Sequence, residues 1–217
     1  ADTPDGAPAA DTTPTRRARP SATRRSDARR KRAIEAAKSQ MRDEIRGRKR
    51  RALKLFQEGQ AAIEAGNIIK AASALGMACT YDPKNAEYAK LAATAKKQAR
   101  LIQSKQLIGV AETSESYGNW REALSSWQKA IEFGTLEPRA HYRAGVLTKR
   151  VEEDNRGALT ALREAVRLAP DVAEYRLTLG ELYLELGLGL NARRQAEAVL
   201  KVDKTNAKAK ELLKDTK

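Results

Sequence analysis

One arrangement of small residues recurs along this sequence and limits what it can fold into. In residues 52–85, ALKLFQEGQAAIEAGNIIKAASALGMACTYDPKN, Gly59 and Gly66 bracket the end of a first helix. Ala71 and Ala78 then lie seven apart on a second helix, and Asp82-Pro83 closes the unit. Residues 173–206 place Gly180, Gly187 and Ala192 at the same offsets, with Lys204 where the proline stood. Residues 140–170 give Gly145, Ala158, Leu162, Ala165 and Pro170, with one extra residue in the VEEDNRG turn. Residues 104–138 give Ala111, Gly118, Ala123, Trp127, Ala130 and Pro138, with three extra residues in EFGTLEP. A helical hairpin repeated at about 34 residues cannot bury its apolar face alone, so stacking of neighbours must supply the core.

The pattern has a physical logic. Gly59, Ala111, Gly145 and Gly180 are small where the two helices of a unit cross closely, and Ala71, Ala123, Ala158 and Ala192 are small on the facing helix. Leu75, Trp127 and Leu162 fill the space between neighbours. On these residues, residues 52–206 resemble the tetratricopeptide repeat (TPR) family. The resemblance implies an all-α, TPR-like α-solenoid of helix–turn–helix repeats near 52–85, 104–138, 139–170 and 173–206. It also implies a concave face, lined by first helices, that binds a peptide or helix of a partner protein.

Residues 86–117 depart from the repeat. With no Gly or Pro before Gly109, they read as one helix of about 32 residues, close to 48 Å long, with Tyr88, Leu91, Ala95 and Ile102 on one face. This stretch either caps the first repeat or spaces it from the rest, and a break near Gln103-Ser104 is the competing reading. Residues 207–217 read as a short amphipathic capping helix.

The 217 residues carry 42 Lys and Arg against 28 Asp and Glu, a net charge of +14. Residues 1–51 hold 16 of the basic and seven of the acidic groups, so most of the excess sits there. Residues 1–26 contain no Val, Ile, Leu, Phe, Tyr or Trp. They cannot bury enough apolar area to offset ordering, so a disordered linker or tail is expected. Residues 27–51 read as a basic helical arm with a thin seam of Ile34, Ala37, Met41 and Ile45. Expected polyanion contacts are Arg24, Arg25, Arg29, Arg30, Lys31, Arg32, Arg48, Lys49, Arg50 and Arg51. The arm lacks aromatic residues, which favours phosphate contact without base stacking, and its seam is too small for a membrane-lying helix. Self-association through residues 28–56 is a further reading. No run of about 18 apolar residues suits a membrane span. The first residue is Ala, which fits a processed chain or a piece of a longer one.

Chemistry is sparse. The only His, His141, falls on a first helix without a partner arranged for general acid–base work. A lone Cys79 reads as a small hydrophobe and fits a reducing, cytoplasmic compartment. Glu152-Glu153-Asp154 reads as a solvated loop. Trp120, Trp127 and the six tyrosines fall mostly at packing offsets. No phosphate-binding glycine loop is present, and neither a metal, a cofactor nor an enzymatic activity is expected.

Within the resembled family, one subset clamps the acidic C-terminal tail of heat-shock chaperones with Lys, Asn and Arg. Its offsets fall here on Phe56 and Gln60, then Ile108 or Gly109, then Arg139 and Arg143, and only the last pair matches. That argues against the clamp and leaves Arg139, Arg143, Lys149 and Arg150 as an alternative acidic-peptide site. A basic linker before repeats ending in YDPKN also looks like the C-terminal region of bacterial multidomain proteins, including J-domain co-chaperones, although no His-Pro-Asp tripeptide occurs. The expected function is a non-enzymatic interaction scaffold, with a nucleic-acid-associated adaptor using the arm as the alternative.

Overall fold

No Pro occurs between Ala22 and Asp82, and the computed structural model is helical from Ala22. It describes residues 22–216, with side chains from Ser26. Nine helices and no strand occur among the described residues: α1 (Ala22–Glu64), α2 (Ile68–Tyr81), α3 (Ala86–Ser116), α4 (Trp120–Glu132), α5 (Pro138–Glu152), α6 (Asn155–Leu168), α7 (Ala173–Glu185), α8 (Gly189–Val202) and α9 (Ala207–Asp215). The chain divides into two units at Arg51–Ala52. The expected disorder of residues 1–26 falls mostly outside the described residues, but Ala22–Ser26 are helical. Thr, Arg and Ser there continue the helix-forming run of the arm instead of ending it.

In the first unit, the described residues 26–51 are exposed apart from a partly covered Gly47. Surface pairs join Lys38 to Glu35 at 2.9 Å, Arg46 to Asp43 at 2.5 Å and Arg48 to Glu44 at 2.7 Å. Spacings of three and four place such pairs on one face.

The second unit is built from antiparallel hairpins around three apolar clusters. The first joins Ala52, Phe56, Ala71, Leu75, Ala78, Tyr88 and Ala95. The second joins Ile108, Ala111, Ala123, Leu124, Trp127, Ala130, Ala140, Ala144 and Leu147. The third runs from Tyr142 through Leu162, Leu182 and Val199 to Leu212. Cys79 lies half-buried at the edge of the first.

The helices meet where one lacks a side chain. A Cβ built on Gly59 would lie 2.5 Å from Leu75 Cγ, and one on Gly145 would lie 2.8 Å from Leu162 Cγ and 3.1 Å from the Ala158 carbonyl oxygen. Close approach of this kind demands glycine. In the last hairpin, the position matching Leu75 and Leu162 is Ala196. The space over Gly180 is filled by Leu212 of α9, 2.5 Å from a built Cβ.

Helix α3 is one uninterrupted helix of 31 residues, about 46 Å long, so no break forms near Gln103-Ser104. The buried Ser104 donates its hydroxyl proton to the Leu101 carbonyl at 2.9 Å within the helix. Tyr88, Ala95 and Ala99 face inward, but Ile102 is 36% exposed. With 14 residues, α2 spans about 21 Å and covers only the first half of α3. The second half pairs with α4 as the first helix of the next hairpin.

Turn chemistry separates the hairpins. Asn67, Asn85 and Asn206 cap the following helices by accepting from Lys70, Glu87 and Ala209 amides. Three first helices end on a left-handed glycine, Gly66, Gly118 or Gly187; the corresponding residue after α5 is Glu153, at φ 54°. The Glu152-Glu153-Asp154 segment is solvent-exposed as expected, with Glu153 and Asp154 in the short link between α5 and α6. Glu152 closes α5, and Asp154 caps α6 by accepting from the Arg156 amide at 3.0 Å.

The crossings predict opposite signs for one substitution. Gly145→Ala should lower the unfolding free energy by about 1 kcal/mol, because the backbone oxygen at 3.1 Å cannot rotate away. Gly109→Ala, on the open side of α3 with nothing within 4 Å, should raise it by about 0.5–1 kcal/mol. Urea unfolding of both variants checks this.

Candidate partner-binding face

The second half of α3, together with α5 and α7, comprises the first helices of three consecutive hairpins. Their polar side chains meet across the boundaries between hairpins. Arg139 of α5 holds Glu112 of α3 at 2.6 Å. Lys149 of α5 holds Glu185 of α7 at 2.5 Å. The Tyr142 hydroxyl donates to Glu174 Oε1 at 2.9 Å and lies 3.4 Å from the Thr178 hydroxyl. The Tyr142 ring stacks on Tyr175 with centroids 4.6 Å apart. Burial pushes both phenols above their usual pKa.

Glu115 sits at the centre. Its Oε1 accepts from the Trp127 indole at 2.6 Å and from Arg143 Nε at 3.0 Å, while Oε2 accepts from Arg143 Nη2. Trp127 is fully buried, so its N–H has no access to water. The Glu115 and Arg143 side chains are only 15% and 26% exposed. Their hydrogen bonding holds the Arg143 guanidinium above its usual range, against the opposing effect of burial. This triad ties α3, α4 and α5 together.

Sequence reasoning named the cations of this face but missed Glu112, Glu115, Glu174 and Glu185. For three of them the signal was present: Glu112, Glu115 and Glu185 have opposite charges 27 to 36 residues away, near one repeat length, on a neighbouring first helix. Arg150 is exposed, with its guanidinium 3.9 Å above the centre of the Trp120 ring. Two expected groove residues behave differently. Phe56 is buried and stacks on Tyr88 with centroids 4.5 Å apart, so it is a core residue. Gln60 is exposed on α1. Ile108 is buried, and Gly109 is exposed. Ala165 and Ala192 are buried in the third cluster. Among the arm residues, Arg24 and Arg25 have side chains outside those described. Arg29, Arg30, Lys31, Arg32, Arg48, Lys49, Arg50 and Arg51 are exposed.

No family model and no curated protein sequence matches the chain. Several solved structures resemble it. A crystal structure of MamA is 19% identical over 76% of this chain and 80% of its own, with a TM-score of 0.47. The first TPR of Spaghetti, bound to an HSP90 peptide, is 17% identical over 54% of this chain and 91% of its own, with a TM-score of 0.48. The TPR2AB domain of yeast Sti1, in its pHSP90 complex, is 12% identical over 84% of this chain and 76% of its own, also at 0.48. None of these scores reaches 0.5, so the fold stands on the hairpins, crossings and turns described above. It is a tetratricopeptide-like α-solenoid.

An open groove of about 650 Å³ in this tetratricopeptide-like array lies between α4 and α6, floored by Ala144, Thr148 and His141. Burial holds the His141 imidazole below its ordinary pKa of 6.5, against the raising effects of the Thr135 backbone and Glu164. Among the described residues, no group of three His, Cys, Asp or Glu is placed to hold a metal ion. No described helix is long and apolar enough to cross a membrane.

Two outcomes follow for the array. Glu115→Ala should lower the unfolding free energy by about 2–3 kcal/mol by orphaning Trp127 and Arg143, and Glu115→Gln by about 1 kcal/mol; chemical denaturation measures both. Because the folded state resists protonating His141, the unfolded state binds more protons below pH 6.5. Stability is therefore complete above that pH and declines as pH falls through the lowered pKa. In denaturation midpoints measured from about pH 7 to 5, this slope should shrink in His141→Gln.

Proposed function

We propose that the chain is a non-enzymatic interaction scaffold whose first-helix face, on α3, α5 and α7, docks a segment of a partner protein. One observation carries this reading: three ion pairs join the first helices of three consecutive hairpins and consume most of the charge of the face. That leaves a pre-ordered strip, and a rigid surface costs less to bind than one that must first order.

The pairing also bears on what the segment is. Spaghetti and Sti1 are described in complexes with HSP90 partners. Here an acidic tail would have to displace Glu112 and Glu115 from Arg139 and Arg143, and Phe56 is buried. The reading therefore favours a segment without a dense acidic end. It recognises the Tyr142–Tyr175 stack and the polar rim by apolar contact and hydrogen bonds. A co-chaperone role would need such a partner and not the acidic-tail clamp.

The test is capture by the full chain and by an Arg139→Glu, Lys149→Glu variant, with circular dichroism confirming that both fold. Partners retained by the parent chain and by Lys208→Glu on α9, but lost by the double variant, support the face. Retention of every partner by the double variant overturns it.

A further inference from the structure

The arm of the first unit carries a pattern that the first-helix face does not use. Ile34, Met41 and Ile45 are 45%, 65% and 47% exposed. At about 100° per residue, they fall within roughly 40° of one another around the helix. Arg30 and Arg48 lie along one flank of this seam, and Lys31, Lys38 and Lys49 along the other. Residues 29–32 and 48–51 are two collars of four consecutive cations. Arg30 and Arg48 are 18 residues apart, about five turns or 27 Å, so the collars share one orientation around the axis. Only Arg48 of the eight collar side chains has a carboxylate partner among the described residues, Glu44 at 2.7 Å.

Each candidate occupant must satisfy both the seam and the collars. Duplex phosphates would neutralise the cations but leave three apolar side chains facing water. An anionic bilayer would take the cations, yet the arm has no Trp, Phe or Leu to insert. A second copy would cover the seam. However, the collars are placed evenly about residue 40, in the middle of the seam. Parallel and antiparallel pairing both set collar on collar, and like charges beside a helical seam repel. An amphipathic helix with apolar residues on its seam and Glu on both flanks satisfies both at once.

We propose that residues 29–51 of α1 are a docking helix for an acidic amphipathic helix of a partner protein, paired as a short heterotypic coiled coil. Ile34, Met41 and Ile45 form the buried seam, and the two collars supply the flanking charges. Matching opposite charges on seam flanks sets partner choice in such pairs.

The probe is a synthetic acidic peptide of three heptads, with Leu at both seam positions and Glu at both flanking positions, titrated into the full chain. The expected result is a gain of peptide helicity by circular dichroism, with binding that weakens as salt rises. Ile34→Gln, Met41→Gln and Ile45→Gln together should weaken binding roughly tenfold or more; the three sites are exposed, so the fold has no stake in them. Lys31→Glu with Lys49→Glu should weaken it similarly. Failure of the peptide to bind overturns the proposal. So does binding of a DNA duplex or of phosphatidylserine vesicles that the three Gln substitutions leave unchanged, or a dimer in sedimentation that they abolish.

Discussion

Two hairpins of the second unit, α1–α2 and α5–α6, depend on helices approaching until a single methyl group would collide. At Gly59 and Gly145, the missing Cβ admits Leu75 and Leu162 from the second helix. A side chain wedged into a glycine notch fixes the depth of the crossing as well as its position along both helices, because close-packed interiors do not slide. Once the second helices are seated, the first helices of successive hairpins come within ion-pair range. Glu112 pairs with Arg139 and Lys149 with Glu185 across the boundaries between hairpins.

The charges of the face are largely consumed within the molecule. Glu115 receives the Trp127 indole on one side and Arg143 on the other, so a residue that looks available for ligand binding holds the stack together. Exposed pairs such as Arg139–Glu112 contribute little, on the order of 0–1 kcal/mol each. Their larger effect is to remove free charge from the surface. The arm is the reverse case: its collars are exposed and mostly without counter-charges.

The repeat architecture was legible because the same small residues recur at the same offsets for one steric reason. The single helix of residues 86–116 was legible too. No Pro interrupts it, and Gly109 lies on its open side. What escaped the sequence depends on where a neighbour ends or arrives. Ile102 continues the inward face of α3 but lies beyond the reach of α2. Phe56 meets Tyr88 from another helix. Tyr117 and Trp127 both sit at helical spacing, yet one is exposed and the other fully buried. The candidate face was half legible: its cations stood out in a basic chain, while their partners lay a repeat away, where only stacking shows which carboxylate arrives.

The last hairpin differs in one respect. Its own second helix offers only Ala196 where Leu75 and Leu162 serve earlier hairpins, and Leu212 from α9 occupies the notch at Gly180. The nine-residue terminal helix is thus a keystone, borrowed from outside the hairpin it completes. Anything that peels α9 away, whether a protease or a competing helix, would open an apolar slot shaped for one branched side chain.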